Sequence, residues 1–493
     1  MNQYPNESVS LNRMSPVRLL NQLHPFLLFW LAALLLRWPG FFPSVIDHDE
    51  STYIVIADAL RNGKLYYVDV IDNKPIGIFL LFALLQKLLG SSIFMIRFAA
   101  ATWIAATAFL LYLSHRRFNN SKEAGLASGL IYIFITSIFT FFGVSPNTEL
   151  FFNLFTVAGF LLLLPAPKAL STLLAGLLMG AGFLIKYVVV FDAIAFSVLI
   201  LILHWKKGFW FISKTGFLLL TGFCLPFGLL CLYYYNQGHL QRLFYFTFEL
   251  SYKYVSHRHT GSFFLFVADM LARFLPVSLW FFLSLLPVSI AGKNFKLTGA
   301  VWSAFTLFSV IIPGKLFYHY FIQFMPPYAW TAGQFFNPGQ KHGRFWSWLL
   351  RWKTGGALLG ILALVNVCIQ YKDLVLKPDR PREVANWLKQ HMDADDQLYA
   401  GNYHQIVYHL LDKESPTPYV HRSLLTAGSN LYALGTEHNT EMKKILQQEP
   451  DFIIVEKTYQ VPNSILNQEL TADYKLVKVF EGDIKIYERE ESN

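Results

Sequence analysis

Apolar residues form long runs along most of the chain, and short polar loops separate them. Several of these runs reach the roughly 20 residues that a helix needs to cross a bilayer. The pattern therefore predicts a polytopic α-helical membrane protein rather than a soluble domain with one anchor. We predict about eleven spans, with the limits 19–40, 92–113, 124–143, 150–165, 170–186, 188–204, 215–235, 263–290, 298–313, 318–336 and 354–371.

The pattern changes after the last of these runs. The stretches "QLYAG", "FIIVE", "YKLVKVF" and "IKIYE" read as short strands, and helix-like pieces at 382–391 and 441–448 lie among them. Such alternation is typical of a small α/β domain. We therefore predict two domains, a membrane domain over residues 1–375 and a soluble α/β domain over residues 376–493.

Charge is divided unevenly between these two parts. Residues 379–493 carry a net charge of −7, whereas residues 1–378 carry +16. In a polytopic chain, a basic excess is first explained by the positive-inside bias of cytoplasmic loops, so we predict no nucleic-acid partner. Basic residues precede the first predicted span and follow the second, fourth, sixth, eighth and tenth. They are Arg13, Arg18, Arg116, Arg117, Lys122, Lys168, Lys206, Lys207, Lys214, Lys293, Lys296, Lys341, Arg344, Arg351 and Lys353.

This alternation predicts an N-terminus in the cytoplasm and a C-terminal domain outside. For a bacterial inner (plasma) membrane, which is our expectation, the outer side is the periplasm. The three cysteines, Cys224, Cys231 and Cys368, all fall in apolar runs and offer no disulfide framework or metal spacing. We predict no required metal or other cofactor, although His48 beside Asp49 leaves a divalent metal open.

Acidic residues are scarce in the membrane part, yet nearly half of them lie in one loop. Only 13 occur in residues 1–378, and six of these follow the first predicted span: Asp47, Asp49, Glu50, Asp58, Asp69 and Asp72. Carboxylates beside hydrocarbon are unfavourable unless they are used. The alternative is a solvated outer loop with no chemical role.

The same loop predicts local structure at both of its ends. Asp49 is placed to cap a helix that begins at Glu50 and stops at Gly63, too short to span and expected to lie on the outer membrane surface. Pro75 suits the first turn of a second helix, with Lys74 just before it. A helix N-terminus with an adjacent ammonium group favours binding of an anion such as phosphate.

The stretch "DHDESTYIVIADALRNGKLYYVDVIDNKPIG" resembles the first outer loop of GT-C fold glycosyltransferases. The nearest type is the protein mannosyltransferase group (family 39), which includes the lipid A aminoarabinose transferases. Their pattern is Asp-Glu after the first span, then Tyr, Gly-x-x-x-Tyr and Asp-x-Lys-Pro. The matching residues are Asp49, Glu50, Tyr53, Gly63, Tyr67, Asp72, Lys74 and Pro75; Ile76 departs from a usual second proline.

Three further segments resemble the same family in the same order. "SPNTELFFNLF" is similar to the second outer loop, whose acid is Glu149 here. "GLLMGAGFLIKYVVVFD" is similar to a helix hairpin that ends in a lysine, here Lys186. "PGKLFYHYFIQFMPPYAW" is similar to the segment before a late span, with Lys315, His319 and Tyr320. Together the four segments cover most of residues 40–330.

The resemblance implies an inverting transfer of a hexosyl or pentosyl group from a polyprenyl-phosphate donor in the membrane lipid to a glycolipid, polymer or protein acceptor at the outer face. It implies catalysis within the first outer loop, residues 40–90, by Asp49 as general base with Glu50. Lys74, Lys186, Lys315, His319 and Tyr320 would bind the donor phosphate. The residues implied to orient substrate are Glu149, Tyr53, Tyr67 and Asp72.

Each assignment has a structural alternative. Lys186 and Lys315 suit snorkelling to the interface, and His319 and Tyr320 suit an aromatic interface belt. Glu149 suits a helix cap. The charged residues within apolar runs, Asp192, Asp269 and Arg273, suit either mutual pairing or cavity lining.

Two rival functions also fit a polytopic chain. A glycolipid transporter or flippase would place its ionisable residues near mid-membrane, often in repeated halves. A non-catalytic scaffold would leave the Asp-Glu and Lys-Pro residues of the loop unexplained.

Overall fold

The structure is a computed structural model that describes residues 16–164, 166–250, 252–253, 262–286, 292–339, 352–457, 459, 461 and 463–490. Arg13, Lys341, Arg344 and Arg351 of the predicted cytoplasmic clusters lie outside the described residues. So does the end of the predicted span 263–290 from residue 287 onward.

Every predicted apolar run coincides with helical structure. The membrane part contains α1 (Pro16–Arg37), α2 (His48–Arg61), α3 (Gly77–Leu89), α4 (Ile93–Asn119), α5 (Lys122–Ile135), α6 (Thr148–Leu163), α7 (Ala169–Ile185), α8 (Val189–His204), α9 (Phe209–Asn236), α10 (Leu240–Phe244), α11 (Phe263–Arg273), α12 (Leu275–Leu285), α13 (Lys293–Ile311), α14 (Met325–Gly333) and α15 (Trp352–Leu374). The predicted span 318–336 divides into a 3₁₀ segment, Tyr318–Gln323, followed by α14 and a second 3₁₀ segment, Gln334–Phe336.

Four helices in the described part of the chain are long and apolar enough to cross a membrane on their own: Ile93–Asn119, Val189–Lys207, Phe209–Asn236 and Thr354–Leu374. The pair α11 and α12 would add one more span, bent by 100°. Shorter apolar helices accompany them, so the chain is a multi-span membrane protein. The number of about eleven spans stays a prediction.

Glycines let α7 and α9 touch along their backbones. A Cβ built on Gly176 would lie 2.3 Å from the carbonyl oxygen of Leu219, and one built on Gly222 would lie 2.3 Å from that of Leu173. Small residues are the usual means of close packing between membrane helices. This contact holds the C-terminal end of α7, and with it Lys186, in a fixed place.

The acidic loop contains α2 and leads into α3, but the starts of both helices differ from the prediction. α2 begins at His48, and its N-cap is Asp47, whose carboxylate accepts the Asp49 N–H. Asp49 therefore lies inside the first turn rather than at the cap. α3 begins at Gly77, so Lys74 and Pro75 belong to the preceding turn and not to the helix N-terminus.

A buried ion pair fastens α2 to α4. Arg97 donates to both carboxylate oxygens of Glu50, at 2.6 and 2.8 Å, and to the carbonyl oxygens of Gly40 and Pro43. Both side chains are almost fully buried. The position of Asp49, one residue before Glu50, is thereby set by an anchored helix.

The predicted α/β region is confirmed. Its sheet has the order β1-β2-β4-β3, from β1 (Leu398–Ala400), β2 (Phe452–Glu456), β3 (Tyr474–Phe480) and β4 (Ile484–Arg489). Strands β1 and β2 are parallel, and the other two pairings are antiparallel. The helices of this region are α16 (Arg380–Leu388), α17 (Ile406–Leu411), α18 (Ser423–Thr426), α19 (Gly428–Leu434), α20 (His438–Leu446) and α21 (Ile465–Ala472).

The α/β region is docked directly on α2. Gln405 donates to the His48 carbonyl oxygen at 2.8 Å and to the Thr52 hydroxyl at 2.7 Å. His409 contacts the Asp58 carboxylate at 2.6 Å. These bonds place Gln405, at the start of α17, beside the N-terminal end of α2, and His409 of α17 beside the C-terminal part of α2.

Topology is tested by cysteine labelling in a background without the three native cysteines. We expect a membrane-impermeant maleimide to label Thr471→Cys, an exposed position of the α/β region, in intact cells. Lys207→Cys, which is exposed at the predicted cytoplasmic end, should be labelled only after permeabilisation. The reverse pattern would place the α/β region in the cytoplasm and contradict the predicted orientation.

Candidate active site

A cavity of about 790 Å³ opens where α2, the turn before α3, the ends of several membrane helices and the α/β region meet. Its polar lining comes from all of these elements. The polar and aromatic-polar residues that line it include Asp47, His48, Asp49, Asp72, Asn73, Lys74, Glu149, Lys186, Tyr187, Ser309, His319, Tyr320, Gln323, His421, Arg422, Ser423 and Asn430. Seven of the residues predicted from the sequence thus meet at one place: Asp49, Asp72, Lys74, Glu149, Lys186, His319 and Tyr320.

Lys74 joins two of these carboxylates. Its ammonium group lies 2.8 Å from Asp49 Oδ1 and 3.7 Å from Asp72 Oδ1, and it sits over the Tyr53 ring at 5.3 Å from the ring centre. Asp72 is buried and also accepts the Lys74 backbone N–H. Lys74 is therefore held by carboxylates and an aromatic face.

Lys186 and Glu149 form a second ion pair across the cavity lining. Glu149 is buried in the first turn of α6, and its other oxygen accepts the Thr148 hydroxyl at 2.9 Å. The Lys186 ammonium group also lies 4.3 Å from the centre of the Tyr320 ring, where a cation is attracted to the aromatic face. Lys186 points into the cavity rather than snorkelling away from it.

His319 stands between the two ion pairs. It is within electrostatic reach of Glu149, Lys186, Asp49 and Lys74. Its ring stacks on Phe317 at 5.6 Å and meets the Tyr320 ring edge-on at 4.7 Å. The aromatic contacts hold the imidazole at the centre of the charged lining.

The two aspartates at the start of α2 differ in their electrostatics. Burial raises the pKa of Asp47 to about 7, and the neighbouring Asp49 charge adds to this rise. Burial also acts to raise the pKa of Asp49, but Lys74, His421 and His319 outweigh it and bring that pKa below its usual range. Asp49 is therefore ionised at neutral pH, whereas Asp47 titrates near neutrality.

The hydrogen-bonding capacity of Asp49 is only partly used. Both Lys74 and His421 approach Oδ1, at 2.8 and 3.7 Å. Among the described residues, none donates a hydrogen bond to Oδ2. An ionised oxygen on the cavity wall is thus left for a ligand.

Glu50, which was predicted to be catalytic together with Asp49, is not among the residues that line the cavity. Its two oxygens are both occupied by the Arg97 guanidinium in the protein interior. The Asp-Glu pair is therefore divided between two tasks. Asp49 faces the cavity, and Glu50 fixes the helix that carries it.

Two predicted tyrosines lie beneath the cavity surface. Tyr53 is fully buried and supports Lys74 from below. Tyr67 is also buried, has a left-handed backbone with φ of 66°, and stacks on Phe246 at 4.9 Å. Its hydroxyl lies 3.4 Å from that of Tyr187, and Tyr187 is the one of the two that lines the cavity.

Lys315 is not among the residues that line the cavity, so the structure does not support its predicted contact with a donor phosphate.

The charged residues within the apolar runs bond to neighbouring side chains instead of lining the cavity. Asp192 accepts from Trp302 and Gln323, both at 2.8 Å. Asp269 accepts from Arg273 at 2.8 Å.

The contribution of the α/β region was not predicted. His421, Arg422, Ser423 and Asn430 line the cavity although they are about 370 residues from Asp49 in the chain. No spacing rule joins segments so far apart. The one available signal was "HRS", a basic and polar triplet that follows a turn-forming segment.

Comparison with known proteins identifies the architecture. Residues 73–234 match the family model of the dolichyl-phosphate-mannose-protein mannosyltransferases, and residues 379–490 match that of the C-terminal domain of the competence-induced protein Ccs4. Among the curated proteins, none matches the chain significantly.

The crystal structure of ArnT from Cupriavidus metallidurans bound to undecaprenyl phosphate is 14% identical, with a TM-score of 0.64 over 96% of this chain and 98% of that chain. Its apo state is also 14% identical, with a TM-score of 0.63 over 94% and 97%. The chain has the GT-C fold. The resemblance to GT-C glycosyltransferases of the protein mannosyltransferase and aminoarabinose transferase type is confirmed.

The oligosaccharyltransferase AglB from Archaeoglobus fulgidus, in complex with an inhibitory peptide and a dolichol-phosphate, is 11% identical, with a TM-score of 0.45 over 89% of this chain and 70% of that chain. In this chain, Lys74, Glu149 and Lys186 fall within the matched residues 73–234, whereas Asp49 precedes them.

The anchoring role of Glu50 is testable by stability. Glu50→Gln leaves the buried Arg97 guanidinium without its counter-charge, which typically destabilises a protein by about 3–5 kcal/mol. We expect a markedly lower unfolding temperature in detergent. Asp69→Asn, an exposed acid of the same loop, is the matched control and should change it little.

A double variant distinguishes the ion pair from a general packing defect. Glu50→Gln combined with Arg97→Met should be less destabilised than the sum of the single variants, because the pair is removed as a unit. Simple additivity would contradict the anchoring role.

Proposed function

We propose that the protein is an inverting glycosyltransferase that moves a sugar from a polyprenyl-phosphate donor to an acceptor hydroxyl at the outer membrane face. The observation that carries this proposal is the cavity itself. Its lining combines many apolar residues, several of them near the ends of membrane helices, with two lysine–carboxylate ion pairs.

The apolar and charged residues of the lining suit the two parts of a lipid-linked donor. The apolar residues of the lining include Phe142, Phe183, Val188, Val190, Phe191, Phe248, Leu250, Val310, Ile312, Pro313 and Phe317. A polyprenyl chain would gain from contact with such a surface. The undecaprenyl phosphate bound to the ArnT that shares this fold supports the same class of ligand here.

Lys186 is the best-placed ligand for the donor phosphate. One of its three N–H groups is directed at Glu149, which leaves donors for phosphate oxygens. His319 and Tyr320 adjoin it and complete this part of the lining. Lys74, which faces both Asp49 and Asp72, contributes positive charge nearby but has less capacity for a further anion.

Asp49 is the proposed general base. Its Oδ2 would accept the proton of the acceptor hydroxyl while the hydroxyl oxygen attacks the anomeric carbon. The bond between that carbon and the donor phosphate oxygen breaks, and its electron pair leaves with the polyprenyl phosphate, whose charge Lys186 stabilises. A single displacement of this kind inverts the anomeric configuration.

The position of the charged groups favours transfer over transport. They gather at one end of the helical bundle, around the loops, whereas transporter sites lie near mid-membrane. The Asp192, Trp302 and Gln323 contacts within the bundle are mutual hydrogen bonds, which is a packing role.

Binding of the lipid phosphate should depend on Lys186. Loss of a charge-assisted hydrogen bond typically weakens an interaction by about 1.5–3 kcal/mol, or roughly 10- to 100-fold. We expect Lys186→Met to weaken binding of undecaprenyl phosphate, measured by thermal stabilisation and by a lipid-binding titration, to this extent.

The matched control is Lys168→Met. Lys168 and Lys186 flank the same helix, α7, but only Lys186 reaches the cavity. Lys168→Met should bind the lipid like the unmodified protein. Equal affinities for all three proteins would remove Lys186 from the phosphate site.

The base is tested by transfer of sugar from a polyprenyl-phosphate donor by purified protein. Asp49→Asn keeps the shape of the side chain but cannot accept the proton, and a general base contributes about 10²–10⁴ in rate. We expect at least about a 10²-fold loss of kcat, with undecaprenyl-phosphate binding retained. Asp47→Asn should have a milder effect.

Asp47 is the informative comparison because it lines the same cavity with a pKa of about 7. A large loss in Asp47→Asn, with robust transfer by Asp49→Asn, would move the base to Asp47. Robust transfer by both variants would exclude these two aspartates from the proton transfer.

A further inference from the structure

We infer that the α/β region is an integral part of the active site, and that its His421 is a positioning residue for Asp49. This inference rests on the proposed function, because it assigns a partner to the proposed base. It differs from an accessory role, in which the region would bind elsewhere and leave the cavity complete without it.

His421 and Lys74 both line the cavity beside Asp49. Its Nε2 lies 3.7 Å from Asp49 Oδ1, the same oxygen that Lys74 contacts at 2.8 Å. At this distance the contact is electrostatic rather than a full hydrogen bond. Both groups thus contact Oδ1, and no described residue donates a hydrogen bond to Oδ2.

The hydrogen bonds of Ser423 determine which ring nitrogen carries the proton. The Ser423 backbone N–H donates to His421 Nδ1 at 3.2 Å, so Nδ1 must be the acceptor. The Ser423 hydroxyl lies 2.7 Å from the same nitrogen. The neutral imidazole is therefore the Nε2–H tautomer, and its N–H faces Asp49.

Asn430 fixes the direction of the hydrogen bonds between Ser423 and His421. Its Nδ2 donates to the Ser423 hydroxyl oxygen at 3.2 Å and to the Ser423 carbonyl oxygen at 2.9 Å. The Ser423 hydroxyl, occupied as an acceptor, can donate its own proton to His421. Hydrogen bonds thus run from Asn430 to Ser423 and from Ser423 to His421, whose Nε2 lies on the side of Asp49.

The ring acts as a neutral donor rather than as a cation. Burial lowers the pKa of His421, against the opposing effect of Asp49. Lys74 and Arg422 act in the same direction as burial. The N–H of a neutral His421 ring stabilises the Asp49 carboxylate without adding a second positive charge beside Lys74.

Docking of the α/β region sets this geometry firmly. Gln405 bonds to His48 and Thr52, which flank Asp49 on α2, and the Ile71 N–H donates to the Pro418 carbonyl oxygen at 2.7 Å, three residues before His421. The α/β region is therefore tied to the helix of Asp49 through Gln405, and the segment that carries His421 is tied to the loop of Lys74 through Pro418. A displaced α/β region would remove one wall of the cavity.

Two isosteric replacements separate positioning from packing. The amide N–H₂ of His421→Gln reaches the place of Nε2, whereas the shorter amide of His421→Asn reaches only that of Nδ1. We expect His421→Asn to lower kcat by about 10-fold with KM for the donor little changed, because an interaction with the base is lost. His421→Gln should retain kcat within about threefold.

A double-mutant cycle tests whether His421 acts through Asp49. In the Asp49→Asn background, His421→Asn should cause little further loss, since the carboxylate that it positions is already absent. Multiplying losses, or equal losses in His421→Asn and His421→Gln, would overturn the inference. His391→Asn, an exposed histidine of the same region, is the control and should leave kcat unchanged.

A spectroscopic measurement keeps this inference separate from the proposed function. In full-length protein labelled with ¹⁵N-histidine, the signal absent from His421→Gln should report the Nε2–H tautomer and shift in Asp49→Asn. An Nδ1–H tautomer, or no response to Asp49→Asn, would overturn the inference. Lack of sugar transfer by the unmodified protein would instead overturn the proposed function.

Discussion

Pairing of buried charge at the end of an apolar bundle is the constraint on which the structure depends. A carboxylate next to hydrocarbon is unfavourable unless a cation neutralises it. Glu50 with Arg97, Asp49 with Lys74, and Glu149 with Lys186 each meet this condition. The first pair is sealed in the interior and fixes a helix. The other two border a cavity, where their unused donors and acceptors can serve a ligand.

The fold brings these pairs together from distant segments. Lys186 lies at the C-terminal end of α7, and glycine contacts with α9 fix the position of this helix. Glu149 lies in the first turn of the adjacent α6. Asp49 lies on α2, held by Arg97 below and by the α/β region above. The cavity is thus formed by convergence of rigid elements rather than by one loop, which is how preorganised electrostatic sites are supported.

Much of the fold was predictable from the sequence, because apolar runs and strand-like segments are local signals. All four strands and the helical nature of each apolar run follow from them. The predicted start of α2 was wrong by two residues because two competing caps, Asp47 and Asp49, lie two positions apart. The predicted start of α3 was also wrong, because Pro75 lies in the turn before the helix. Glu50 was misplaced because a helix face cannot be assigned to a cavity before the partner Arg97 is known. His421 was missed because its role depends on docking between distant regions.

The central claim, that this cavity holds a lipid-linked phosphate at Lys186, is most directly tested by cryo-electron microscopy of the protein with undecaprenyl phosphate. We expect phosphate density within hydrogen-bonding distance of the Lys186 ammonium group and beside His319. The lipid chain should follow the apolar wall that contains Phe183 and Phe191. Phosphate density beside Lys315, or at the predicted cytoplasmic basic loops with the cavity empty, would contradict the claim.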